Sequence, residues 1–203
     1  TVYMRGGTYS YTTQQVMTGK NGTAGNLIKV WAYPNETPSI QKGSPYSYND
    51  TYGYGCYFSG NYFHFKGIDI SYFTQETEHV WHGLRAYGNN NIFEFLNIHH
   101  NGAWMLLGEG STNNLILNCD FHHNVDPLSP IPYNNASGLS TSRNTLTSAV
   151  NTVRGCRAWW NADTGFDAYY NEGFVEWDNC WSFWNGFVPD TFTPTRPDGM
   201  GEG

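Results

Sequence analysis

One interval limits what this chain can fold into more than any other feature. His99-His100-Asn101 recurs as His122-His123-Asn124 after 23 residues; Trp159-Trp160-Asn161 falls in the same frame, and Phe183-Trp184-Asn185 repeats it after a further 24. Self-similarity at a period of about 20–50 residues belongs to solenoids, because one repeat is too short to bury its own core and must stack on its neighbours. Counting back five residues from each Asn gives Leu96, Cys119, Cys156 and Cys180, and counting back three gives Ile98, Phe121, Ala158 and Ser182. Between them lie Asn97, Asp120, Arg157 and Trp181, which are mostly polar. That alternation has the period of a strand with one face in a core.

Weaker copies precede these. In "FHFKGIDISYF" the residues Phe63, Phe65, Ile68 and Ile70 alternate with more polar neighbours, and "NLIKVWAYP" and "TVYMRGGTY" read as still earlier strands. No helical periodicity is sustained. The expected fold is therefore all-β, a parallel β-helix of roughly seven to eight coils at about 4.8 Å per coil, with residues 1–203 as one domain.

The paired histidines invite a metal reading, since neutral imidazole is a common ligand. The later copies put Trp159-Trp160 and Phe183-Trp184 in the same column, so what the column shares is flat rings, and stacking is the expected role. Asn101, Asn124, Asn161 and Asn185 are expected to form a ladder at one turn, where side-chain amides can bond along the stack and tolerate left-handed backbone.

Only 13% of residues are charged while 39% are hydrophobic and 17% aromatic, which suits a folded chain with a continuous core. A net charge of −7 argues against general nucleic-acid affinity, and no apolar run approaches the length that crosses a bilayer as a helix. Cys119, Cys156 and Cys180 share one inward column, so free thiols are expected. The chain opens in a strand, "TVYMRGG", and closes on "RPDGMGEG"; bare solenoid ends would expose sheet edges, so a segment of a longer, secreted polypeptide is expected.

The coils "NNIFEFLNIHHNGAWMLL", "NNLILNCDFHHNVDP", "VRGCRAWWNADTGFDAY" and "NCWSFWNGFVPDTFTP", taken in order, resemble polysaccharide lyase family 9. That resemblance implies a right-handed parallel β-helix and β-elimination on pectate, polygalacturonate or a related uronan, assisted by calcium, with a lysine as base. The chemistry explains the parts: a cation on the uronate carboxylate stabilises the charge that develops when the C5 proton leaves, and a base must reach that proton.

The family's calcium motif, Asp-Asp-Gly-aromatic-Asp with Ala-Asp-Gly-Phe one coil earlier, falls here on Asp163-Thr164-Gly165-Phe166-Asp167 and Ala136-Ser137-Gly138-Leu139. Asp163 and Asp167 are the candidate metal ligands, with Ser137 and Thr164 as weaker ones. Calcium gains affinity with ligand charge, so two hydroxyls in place of two carboxylates weaken such a site. Read locally, the same stretch is a turn in which Asp163 caps backbone amides and Gly165 supplies a positive φ.

The resemblance puts the family's lysine after a Gly-Asn-Gly-Phe stretch, which would begin where this chain closes on "GMGEG". The expected base therefore lies beyond Gly203, and no catalytic residue is assigned within residues 1–203. Lys20, Lys29, Lys42 and Lys66 all precede the strong repeats. Arg143, Arg154 and Arg157 are candidate uronate binders, since guanidinium pairs with carboxylate bidentately, and Trp159 and Trp160 are candidate sugar platforms. An acidic polysaccharide is the expected partner. The other reading is a non-catalytic extracellular β-helix that binds polysaccharide or serves as a rod.

Overall fold

The computed structural model describes residues 1–47 and 55–195. The closing "GMGEG", which ends at Gly203, lies outside the described residues, and so does the expected place of the family's lysine beyond Gly203. Every named strand pairing is parallel, and the strands fall into three sheets that repeat in order along the chain. The first sheet has seven strands, from Val2–Met4 through Phe63–Lys66, Ile92–Glu94, Leu115–Leu117 and Val150–Arg154 to Phe174–Asp178. The second also has seven, from Gly7–Thr13 through Asp69–Ser71, Asn97–His99, Asp120–His122 and Arg157–Trp159 to Trp181–Phe183. The third has six: Gln15–Asn21, Cys56–Asn61, Leu84–Tyr87, Met105–Leu107, Leu139–Ser140 and Phe166–Asp167. This is a right-handed parallel β-helix. Among the described residues no helix is long and apolar enough to cross a membrane.

The inward columns are those that the alternation predicts, except that Ser182, on the last strand of the second sheet, is exposed. Ile70, Ile98, Phe121 and Ala158 are in register across the second sheet and buried. Leu96, Cys119 and Cys156 are buried beside them, and Cys180 is half-buried. All four cysteines are free thiols. On the first sheet Phe63, Phe65 and Phe93 stack at 5.6 Å with nearly parallel planes, which is why this sheet carries large rings.

After five strands of the second sheet the chain turns through one non-glycine residue in left-handed conformation: Tyr72 (φ 61°), His100 (54°), His123 (54°), Trp160 (52°) and Trp184 (56°). The sequence reading assigned that tolerance to the asparagines, but the strained position is the aromatic just before each of them. Such backbone costs about 1–2 kcal/mol per residue, and two repeated contacts offset it. The rings stack outside, with His99 on His122 at 4.7 Å and 3°, and His100 on His123 at 5.0 Å and 11°. Inside, the buried asparagines bond from coil to coil. Asn124 Oδ1 accepts from Asn101 N at 3.0 Å, Asn161 Oδ1 from Asn124 Nδ2 at 2.9 Å, and Asn185 Oδ1 from Asn161 Nδ2 at 3.0 Å. A second row, Asn91, Asn114 and Asn151, repeats the pattern before the first sheet and has no counterpart in the sequence reading.

Candidate functional site

A groove of about 860 Å³ runs along the outer face of the third sheet. It is built by alternation. In Leu84–Tyr87 the side chains of Leu84 and Ala86 are buried, which turns Arg85 and Tyr87 to the outside. The next coils add Trp104 and Leu106, then Ser142 and Arg143, then Asp163, Thr164, Asp167 and Tyr169. Four neighbouring strands span about 15 Å, the length of a short oligosaccharide.

Arg143, Asp163, Thr164 and Asp167 therefore meet in one groove, while Ser137 is buried outside its lining and bonded to Asp163 and Thr164. The other candidates lie elsewhere. Arg154, on the first sheet, pairs with Asp178 at 2.6 Å, and Arg157, on the second, holds Asp120 through two bonds of 2.7 and 2.6 Å. Trp159 lies flat between His122 and Phe183, while Trp160 packs against Trp184 and Phe192 at the corner.

The four positions of the calcium motif are engaged with one another and with their surroundings. Ser137 Oγ donates to Asp163 Oδ2 at 3.4 Å and accepts from Thr164 Oγ1 at 2.8 Å. Asp167 Oδ2 accepts from the hydroxyls of Ser140 and Ser142, each at 3.0 Å, and its Oδ1 from Tyr169 N at 2.9 Å. Calcium takes six to eight oxygens, carboxylates foremost. Two carboxylates and two hydroxyls already satisfied within the protein do not fit such a cage. Nor does Gly165 supply a positive φ. It is required for space: a Cβ there would sit 2.3 Å from Ser182 Oγ and 2.7 Å from Asn185 Nδ2, so the stretch is locked against the coil that follows.

Sequence reasoning missed the groove's other donors. Arg85 Nη2 donates to Tyr87 Oη at 2.7 Å, but Arg85 Nε and Trp104 Nε1 are buried N–H groups with no acceptor among the described residues. Orphaned donors of this kind are costly unless a ligand satisfies them. His82 Nδ1 donates to the carbonyl of Trp104 at 3.2 Å, and burial, with the Arg85 charge nearby, pushes its pKa down to about 3. It is neutral at any ordinary pH. The signal for Arg85 was present in "GLRAYG", where apolar and polar residues alternate.

Asp126 supports the loop that carries Asn135 to the groove. Its Oδ2 accepts from Asn135 N at 3.0 Å, its Oδ1 has no partner among the described residues, and burial pushes its pKa up to about 6. A carboxyl whose folded pKa exceeds the unfolded value of about 4 favours the native state below that value and loses the contribution as pH rises through 6. Chemical denaturation at pH 4 and pH 7 should show stability lost to this group on the order of 3 kcal/mol. The loss should vanish in Asp126→Asn.

The fold and groove define a right-handed parallel β-helix protein with a mixed-charge cleft on one sheet. The chain belongs to the Pel9A-like right-handed β-helix family, whose model matches residues 1–203. It is 29% identical to pectate lyase L of Dickeya chrysanthemi over 191 residues, covering 91% of this chain and 43% of that protein. With pectate lyase L of Paenibacillus polymyxa it shares 30% over 217 residues, covering 99% and 45%. It thus spans less than half the length of these relatives. Its fold matches the crystal structure of pectate lyase Pel9A with a TM-score of 0.74 at 28% identity, over 91% of this chain and 45% of that one. A rhamnogalacturonan lyase gives 0.77 at 29%, over 95% and 51%.

Proposed function

We propose that this chain provides the uronan-binding face of a polysaccharide lyase-like protein acting on pectate, polygalacturonate or a related uronan. The observation that carries the reading is the meeting of Arg85 and Arg143 in one groove that is lined by Tyr87, Trp104 and Tyr169. A guanidinium fork suits a planar carboxylate, and the aromatic side chains beside it suit a sugar ring. The groove also holds Glu109, Asp163 and Asp167, so a bound uronate sets its carboxylate against Arg85 or Arg143, and that local pairing also favours the charge that develops at C5 in elimination. Such polymers lie outside the cell, and the reading places the protein there.

Proton abstraction is not assigned to this stretch; the reading keeps the base beyond Gly203. No lysine lines the groove among the described residues, and His82 holds a proton too weakly to be an effective base. A second reading, a β-helix that binds polysaccharide without cleaving it, is favoured by the hydroxyls of Ser137 and Thr164 where the family has carboxylates.

Calorimetric titration with oligogalacturonate should show saturable binding by the 203-residue chain, and the absorbance assay for unsaturated uronides should show no turnover. Ser137→Asp with Thr164→Asp should raise calcium affinity, since each adds charge where the ion would sit, without creating turnover. An absence of oligogalacturonate binding would sink the proposal; uronide release by the unsubstituted chain would sink the assignment of the base beyond Gly203.

A further inference from the structure

Four imidazoles lie together at the corner after the second sheet, away from the groove. His99, His100 and His122 each offer a ring nitrogen within 4.8 Å of the others, and His123 adjoins them. Stacking accounts for the planes of these rings. It does not account for where their nitrogens point.

The hydrogen bonds fix the protons. Asp69 Oδ2 accepts from Asn97 Nδ2 at 2.9 Å and from His99 Nε2 at 2.7 Å, so His99 carries its proton on Nε2. With its amide nitrogen committed to Asp69, Asn97 turns Oδ1 to His122 Nε2 at 3.0 Å, and His122 is a donor there too. His123 Nε2 likewise faces Asp190 Oδ1 at 3.1 Å. With Nε2 as the donor, the neutral form of each of these three rings has a bare Nδ1 lone pair, turned to a neighbouring imidazole. His99 Nδ1 lies 2.6 Å from His100 Nδ1, and His122 Nδ1 lies 2.8 Å from His123 Nδ1. Two lone pairs at 2.8 Å repel unless a cation sits with them. A proton is one such cation, but His122 is half-buried among three other imidazoles.

We propose that His99, His100 and His122 bind one divalent transition ion of the copper, nickel and zinc group through Nδ1, with His123 as a further ligand. Neutral imidazole is the ligand those ions prefer. His99 and His122 already have the outer partners that metal-bound histidines use, a carboxylate on one Nε2 and an amide oxygen on the other, which fix the tautomer and aim the free nitrogen. Metal–nitrogen bonds are about 2.0–2.1 Å, so the close pair must open slightly by ring rotation. His100 moves its proton from Nδ1 to Nε2 to become a ligand, with no net proton released. The ion then ties the Asn97–His99 coil to the Asp120–His122 coil.

The test is calorimetric titration of tag-free chain with zinc chloride, alongside electron paramagnetic resonance of the copper(II) form. The expected result is one equivalent bound, nitrogen hyperfine structure, and a rise in melting temperature with metal. His100→Tyr and His122→Trp install the rings that the neighbouring coils carry at Tyr72 and Trp159, so they keep the stacks and remove the nitrogens. Each should weaken binding at least about tenfold, and Asp69→Asn about 10–100-fold. His64→Gln, on the first sheet, should leave it unchanged. Absence of saturable binding, or binding unaltered by both ring substitutions, would overturn the proposal. Should either variant fail to fold, protection of His99, His100 and His122 from diethyl pyrocarbonate by metal in the unsubstituted chain decides the point: equal modification with and without metal overturns it.

Discussion

Asn161→Ala lowers the stability of this chain by about 4–6 kcal/mol. The side chain is fully buried and takes part in bonds to the coil before it and the coil after it. Its Oδ1 accepts from Asn124 N at 3.3 Å and from Asn124 Nδ2 at 2.9 Å; its Nδ2 donates to Phe121 O at 3.0 Å and Asn185 Oδ1 at 3.0 Å. Alanine leaves those groups short of partners where water cannot replace them, at about 1–3 kcal/mol for each group orphaned. Domains are commonly stable by only about 5–15 kcal/mol, so the substitution removes much of the margin. Urea unfolding at neutral pH should show the midpoint falling with little change in slope. A loss below about 1 kcal/mol would mean that the amide row contributes little and the stacked rings hold the corner.

Arg85→Ala should weaken oligogalacturonate binding by about tenfold or more, the usual worth of a hydrogen bond to a charged group. Arg143→Ala should have a similar effect. Arg85→Lys should not restore binding, because an ammonium keeps the charge and loses the planar fork. Arg157→Ala is the informative comparison. The side chain is more exposed, yet both of its bonds go to Asp120, its neighbour on the second sheet and away from the groove, so removing it should leave binding alone. Equal losses at Arg85 and Arg157 would indicate attraction by general surface charge. Titration calorimetry at low and at physiological salt measures all four variants.

How legible the molecule was in its sequence depended on how regular each sheet is. Leu96, Cys119 and Cys156 keep one frame because the second sheet's strands follow a turn of constant build, so column, register and burial could all be read there. The third sheet could not be read that way. Its later strands are as short as Leu139–Ser140 and Phe166–Asp167, two residues each, and the loops around them vary in length. Period-2 alternation needs more residues than that to register. The groove lies on this least periodic sheet, so only the motif stretch at Asp163 and Asp167 and the nearby Arg143 pointed to it. Arg154 and Arg157 were near in sequence but are turned onto other sheets, because a solenoid separates neighbours along the chain and joins residues a full coil apart. The partners of Arg154 and Arg157, Asp178 and Asp120, show the same rule: each lies one coil away, at the matching position of its sheet.

The central claim is that an acidic polysaccharide lies along the third sheet with its carboxylates on Arg85 and Arg143. A crystal structure of the chain with trigalacturonate tests it most directly. The account predicts the sugar in the groove between Tyr87 and Tyr169, with carboxylates on the guanidinium groups of Arg85 and Arg143. Trigalacturonate seated instead on the second-sheet face, beside Arg157 and Trp159, would contradict it.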